Sequence, residues 1–140
     1  MRRPTSFRLP EELLGRLDEE AATRGTSVTG LVATILDEGL KTGRFPGIVY
    51  RDGPTGRRAG LVGGPDVWEI VRALKQAPGQ GEQRVRGLAD EVGLPVQRIR
   101  LALDFYAAFP EEASARIAAD ARAAARMRDI IDQRERLLAR

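Results

Sequence analysis

Three features of the sequence predict a mainly α-helical protein with short β elements. Apolar residues recur at helical spacing in a series of segments punctuated by Gly and Pro. One run near the N-terminus, residues 4–9, alternates instead, which is the period of a strand. A Gly/Pro-rich stretch, residues 43–65, holds two short strand-like runs around Asp52-Gly-Pro-Thr-Gly, the pattern of a β-hairpin. The predicted order is one strand, two helices, a hairpin, a small helical body and a long C-terminal helix. A length of 140 residues allows one ordinary domain or two very small ones.

In the first strand Thr5, Phe7 and Leu9 point one way and Ser6 and Arg8 the other, with Pro4 at the edge. Pro10 stops the strand and suits the first turn of a helix, where Glu11 and Glu12 are also favourable. Leu13, Leu14, Leu17 and Ala21 follow at helical spacing up to Arg24, and Gly25 is suited to ending that helix. Ser27 is the expected N-cap of a second helix, whose apolar face is Val28, Leu31, Val32, Ile35, Leu36 and Leu40, ending near Gly43. This unit has about 40 residues and one strand, too little to bury a core alone. A dimer solves both problems: two strands pair antiparallel across a two-fold axis over four interlocked helices. The shared core is then Phe7, Leu9, Leu13, Leu17, Leu31, Ile35 and Leu36, and the outward side chains are Ser6 and Arg8.

Residues 3–43 closely resemble the ribbon-helix-helix fold of the Arc, MetJ and CopG repressors. The resemblance is carried by Thr5-Ser-Phe-Arg-Leu-Pro-Glu-Glu-Leu-Leu and by Arg24-Gly-Thr-Ser-Val-Thr-Gly-Leu-Val. It covers a little under a third of the chain, through order, spacing and periodicity together. It implies that the ribbon enters the DNA major groove and that Ser6 and Arg8 read bases. Arg can contact guanine with two hydrogen bonds, and Ser can serve donors or acceptors. A solvated edge strand is the plainer alternative. The helix start with Thr26, Ser27 and Thr29 offers backbone N–H groups and hydroxyls to an anion, and the resemblance implies that it grips phosphate. Ser27 would cap the helix in either case. Arg2 and Arg3 are a phosphate-contacting arm or a charged terminus, alternatives that salt dependence separates.

Beyond Gly43, the runs Gly47-Ile-Val-Tyr-Arg and Arg57-Arg-Ala-Gly-Leu-Val form the hairpin. Asp66 with Glu69 three residues on reads as a capping box before Val67, Ile70, Val71 and Leu74. Residues 76–83 are a loop, and residues 84–109 are two helices around Gly93-Leu-Pro. Val85, Leu88, Ala89 and Val92 face inward on the first; Ile99, Ala102, Leu103 and Tyr106, with Phe109 at its end, do so on the second. The Ala, Gly, Leu and Ile spacing here is that of a helix-turn-helix. Gln97, Arg98 and Leu101 would face a groove if it bound DNA; otherwise it is a small packing unit. Arg51, Arg57 and Arg58 lie on the hairpin, solvated or touching phosphate. Trp68 is an interface anchor or a core aromatic between hairpin and helix. Pro110 breaks the chain into a last helix, residues 111–139, with a thin stripe of Ala113, Ile117, Ala121, Ala124 and Ile131. Phe45-Pro-Gly-Ile-Val-Tyr-Arg-Asp-Gly, Gly64-Pro-Asp-Val-Trp-Glu-Ile-Val and Leu103-Asp-Phe-Tyr-Ala-Ala-Phe-Pro-Glu-Glu are similar to a domain of VapB-type antitoxins. That resemblance implies a helix-turn-helix-like body behind a DNA-binding head and allows a toxin as a protein partner.

The composition narrows the chemistry. With no Cys and no His, disulfides, thiolate nucleophiles, Ser–His pairs and the commonest zinc ligand are excluded. No catalytic residue, metal site or cofactor is expected. The net charge of +3 permits a polyanion partner without demanding one. No apolar run approaches the ~20 residues of a membrane span, and no signal peptide is expected, so the predicted location is cytoplasmic and nucleoid-associated. The sequence divides into residues 1–44 (DNA binding and dimerisation), 45–110 (hairpin and helix-turn-helix-like body) and 111–140 (C-terminal helix). The expected function is a non-enzymatic, homodimeric, sequence-specific repressor that binds double-stranded DNA, with an autoregulating antitoxin as the specific form considered. The rivals are a protein-interaction module that uses the ribbon only to dimerise, and a low-specificity DNA-coating protein.

Overall fold

The computed structural model describes residues 2–140. Among them are six helices and one antiparallel two-stranded sheet, so the protein is mainly α with short β. The chain divides into two compact units, the first ending at Arg44 and the second starting at Phe45.

In the first unit, helix α1 (Glu11–Arg24) starts at Pro10, whose carbonyl accepts from the Leu14 amide at 3.0 Å. Pro lacks an N–H and carries a fixed φ, so it costs nothing at this boundary. The helix ends at Gly25 with φ of 65°, a left-handed conformation that only Gly adopts cheaply. The Gly25 amide donates to Ala22 O at 3.2 Å and the Thr26 amide to Ala21 O at 3.0 Å, so two terminal carbonyls find donors in a Schellman motif. Helix α2 (Val28–Thr42) is capped by Ser27, whose Oγ accepts from the Gly30 amide at 3.0 Å. Leu17, Ala21 and Leu31 are the buried centre of the pair, with Leu9, Leu13, Val28 and Val32 packed around them.

The strand expected over residues 4–9 does not form within the chain: residues 2–10 carry no secondary structure. A strand is defined by a ladder of inter-strand hydrogen bonds, and the first unit offers this segment no second strand. Of the seven residues expected in a shared core, Leu17 and Leu31 are buried, and Leu9 and Leu13 partly so. Phe7, Ile35 and Leu36 stay exposed, Phe7 at 73%.

The second unit begins with a hairpin of β1 (Ile48–Arg51) and β2 (Arg58–Leu61), paired from Ile48↔Leu61 to Arg51↔Arg58. Helix α3 (Val67–Gln76) starts in a capping box, with Glu69 Oε1 accepting from the Asp66 amide at 3.2 Å. Helices α4 (Glu82–Val92) and α5 (Val96–Ala108) are joined through Gly93, again left-handed with φ of 71°. Helix α6 (Pro110–Leu138) follows directly, with Pro110 at its first position.

The core of this unit joins Ile48, Ala59 and Leu61 of the hairpin to Val67, Ile70 and Val71 of α3, Val85, Leu88 and Ala89 of α4, and Ile99, Ala102 and Phe105 of α5. One inward assignment needs correction. Val92, at the end of α4, is exposed; on α5 Leu103 and Tyr106 pack against the core as expected, and Phe105 joins them as its most buried aromatic. Phe105 meets Phe45 edge-on at 5.4 Å between ring centroids and lies 5.4 Å from Phe109. Along α6 only Ala113 is buried and Ile117 packs on the core; Ala121, Ala124 and Ile131 are exposed.

Candidate nucleic-acid interface

In the first unit three exposed apolar residues, Phe7, Ile35 and Leu36, gather in one place, while Leu14 and Leu40 are exposed outside it. Phe7, Leu9, Leu13 and Leu17, from the arm and α1, face Val32, Ile35 and Leu36 of α2 across a groove of about 290 Å³. Every lining residue is apolar, and six of the seven expected shared-core residues line it, with Leu31 packed among them. A 44-residue unit that leaves Phe7, Ile35 and Leu36 in water forgoes much of the apolar burial that could stabilise it.

Beside this groove Ser6 and Arg8 are exposed, as are Arg2 and Arg3. Thr26, Ser27 and Thr29 are exposed at the start of α2, and Ser27 Oγ is engaged with the Gly30 amide. A Cβ added at Gly30 would sit 3.1 Å from both the Ser27 and the Thr26 hydroxyl oxygens, so the two hydroxyls flank the same first turn. The exposed amides and hydroxyls of that turn suit an anion.

In the second unit the residues of the helix-turn-helix-like segment have mixed fates. Gln97 is exposed. Arg98 donates through Nη2 to the Val62 carbonyl, fastening α5 to the end of the hairpin. Leu101 packs on the core, and a Cβ at Gly47 would meet its Cδ2 at 2.8 Å. Arg51 and Arg58 are engaged internally: Arg51 Nη2 lies 2.6 Å from Asp66 Oδ1, and Arg58 Nε donates to Asp66 Oδ2. Arg57 pairs with Asp52 at 3.1 Å.

Asp66 is the element that motif reading undervalued. It is the one buried charged residue among those described, 4% exposed, and it serves as more than a cap. Besides the two guanidiniums it accepts from Trp68 Nε1 at 3.2 Å. Trp68 is only partly buried and lies under the guanidiniums of Arg72 at 4.7 Å and Arg116 at 5.1 Å. Glu112 of α6 is a second tie: it accepts from the Tyr50 hydroxyl at 2.9 Å and the Ala59 amide at 3.0 Å. Arg72 also pairs with Asp120 at 2.6 Å. The only available signal for this network was the density of Arg around one Trp, and no local spacing distinguishes such Arg from solvated ones.

No protein-family model, curated protein or solved structure matches this chain. Among the described residues no group of three or more acidic side chains could hold a metal ion. No helix formed by those residues is long and apolar enough to cross a membrane.

Proposed function

We propose that the protein is a homodimeric, sequence-specific DNA-binding regulator of the ribbon-helix-helix type. The observation that carries this reading is the wholly apolar groove of the first unit. A second copy of the unit is its natural occupant, because the same surface on both partners closes a two-fold interface. Pairing the two arms antiparallel would give residues 4–9 the ladder partner that one chain lacks, and would turn Phe7 and Leu9 inward. Ser6 and Arg8 then alternate outward on a two-stranded ribbon, a shape that fits the major groove. Arg2, Arg3 and the α2 start with Thr26, Ser27 and Thr29 serve as phosphate contacts on this reading. The tail of α6, with Met127, Ile130, Leu137 and Leu138 exposed, supplies a surface for a protein partner, a toxin if the protein is an antitoxin.

Fluorescence anisotropy tests the reading. Wild type and a Ser6→Ala/Arg8→Ala variant are titrated with the DNA upstream of the protein's own gene and with a scrambled duplex, at two salt concentrations. The expected result is a preference for the upstream DNA that the dimeric variant loses. Equal binding by both proteins would leave the ribbon as a dimerisation device. Equal binding of both duplexes with a steep salt slope would favour a DNA-coating protein.

A further inference from the structure

We propose that the C-terminal half of α6 is an interface with a second copy of itself, two such tails packing antiparallel. The proposal rests on the reading of this tail as a protein-binding surface and names its occupant. From Arg126 to Arg140 every residue is exposed. Met127, Ile130, Ile131, Leu137 and Leu138 lie in this stretch with 40–74% of their surface in water. They are not scattered. Ile117, Ala124, Ile131 and Leu138 recur every seven residues, and Met127 and Arg134 fall three residues after Ala124 and Ile131. That is the spacing of a two-helix seam, with Ile130 and Leu137 widening it along one side. Ile117 packs on the core of the second unit, so the row that starts on the core continues beyond it uncovered. Helices in water draw most of their stability from packing an apolar face, and these turns have none packed.

The charges select the occupant and its direction. Arg134 sits in the seam. Two tails running parallel in register would set it against the partner's Arg134, a like-charge layer. An antiparallel pairing instead sets Arg134 beside the partner's Ile131 and Met127 beside the partner's Leu138, and the two-fold axis repeats both. In the same register Ile130 meets the partner's Leu137 on one flank, and Arg128 meets the partner's Glu135 on the other. One register therefore satisfies the seam, the apolar flank and the charged flank together. Within the chain Glu135 meets its neighbour Arg134 at 3.3 Å, with both side chains 64% exposed, a weak surface pair that yields readily. A partner of another sequence would have to supply both this spacing and this charge order, whereas a second copy carries them by construction. Residues 127–138 span only about 18 Å. The contact is therefore weaker than the groove of the first unit, and it fills as concentration rises.

The test uses the full-length chain carrying Leu36→Asp, which removes the groove contact. Its sedimentation is followed over about 1 μM–1 mM, the range of weak affinities. The expected result is a monomer at the low end that approaches a dimer at the high end. Adding Ile131→Asp is expected to hold the chain monomeric throughout. Arg128→Glu and Glu135→Arg each oppose like charges across the axis, and each alone is expected to weaken association at least tenfold. The two together restore the attraction and are expected to recover most of the loss. Far-UV circular dichroism and Trp68 emission show that the variants keep α6 and the second unit folded. A chain that stays monomeric to the top of the range overturns the proposal, including the case in which the tail takes up only a different protein. Equal association with and without Ile131→Asp also overturns it, and so does a double charge swap no better than the single ones. In the wild-type background the α6 substitutions are expected to leave the preference for upstream DNA unchanged, so failure here and failure of the DNA-binding reading show separately.

Discussion

At the scale of single residues, the two units use charge in opposite ways. Ser6 and Arg8 stand exposed, whereas Arg51, Arg58 and Arg98 are committed to partners within the second unit. If Ser6 and Arg8 read bases, as proposed, the consequence is specificity: a good base contact is worth about 1–3 kcal/mol of discrimination. Arg8→Ala is expected to lower affinity for the cognate duplex at least tenfold while leaving scrambled DNA little changed, as read by anisotropy. For Asp66 the consequence is stability. Removing the acid leaves two guanidiniums and the Trp68 N–H without their acceptor. Breaking a buried pair typically costs about 3–5 kcal/mol, and the low end applies because both Arg side chains are nearly a third exposed. Asp66→Ala is expected to lower the unfolding free energy of the second unit by that amount, read from the fall in the urea midpoint of its Trp68 fluorescence transition.

At the scale of elements, boundaries are set by a few residues of unusual conformation. Gly25 holds the α1–α2 turn at φ of 65°, and a Cβ there meets nothing within 4 Å. A side chain at this position is therefore opposed by backbone strain alone. Gly25→Ala is expected to cost about 1–2 kcal/mol, seen as faster hydrogen exchange through α1 and α2. Ser27→Ala removes the acceptor for the Gly30 amide and is expected to cost about 1 kcal/mol by the same measurement. Both boundaries were legible in the sequence because a cap acts locally, through its own backbone and a neighbour three residues away. The inward face of α5 was less legible. Leu103 and Tyr106 follow the helical period, but the burial of Phe105 between them depends on where Phe45 and Tyr50 sit, more than 50 residues earlier.

For the whole molecule, the decisive surface is the groove of the first unit. Leu36 is 52% exposed in a single chain, so replacing it with a polar residue should change stability by no more than about 0.5 kcal/mol if the chain acts alone. In a dimer the same substitution buries a charge without a partner. Leu36→Asp is expected to convert a dimer into a monomer in sedimentation or light scattering and to abolish cognate DNA binding, with the second unit's Trp68 signal unchanged.

The sequence by itself determined the helix-dominated class, the caps at Gly25, Ser27, Asp66 and Gly93, the hairpin, and the set of apolar residues around the first helix pair. Each is written in a short-range pattern, either a period of 2 or 3.6 residues or a turn residue with special φ. The tertiary structure alone decided what the charged residues do. It brought Arg51, Arg58 and Trp68 onto Asp66, set Arg116 of α6 over Trp68 of α3, and joined Glu112 to the hairpin. A guanidinium reads the same in sequence whether it meets solvent, a phosphate or a carboxylate some 50 residues away. Its role is fixed by desolvation and by distance to an acceptor, and both exist only once the chain is packed.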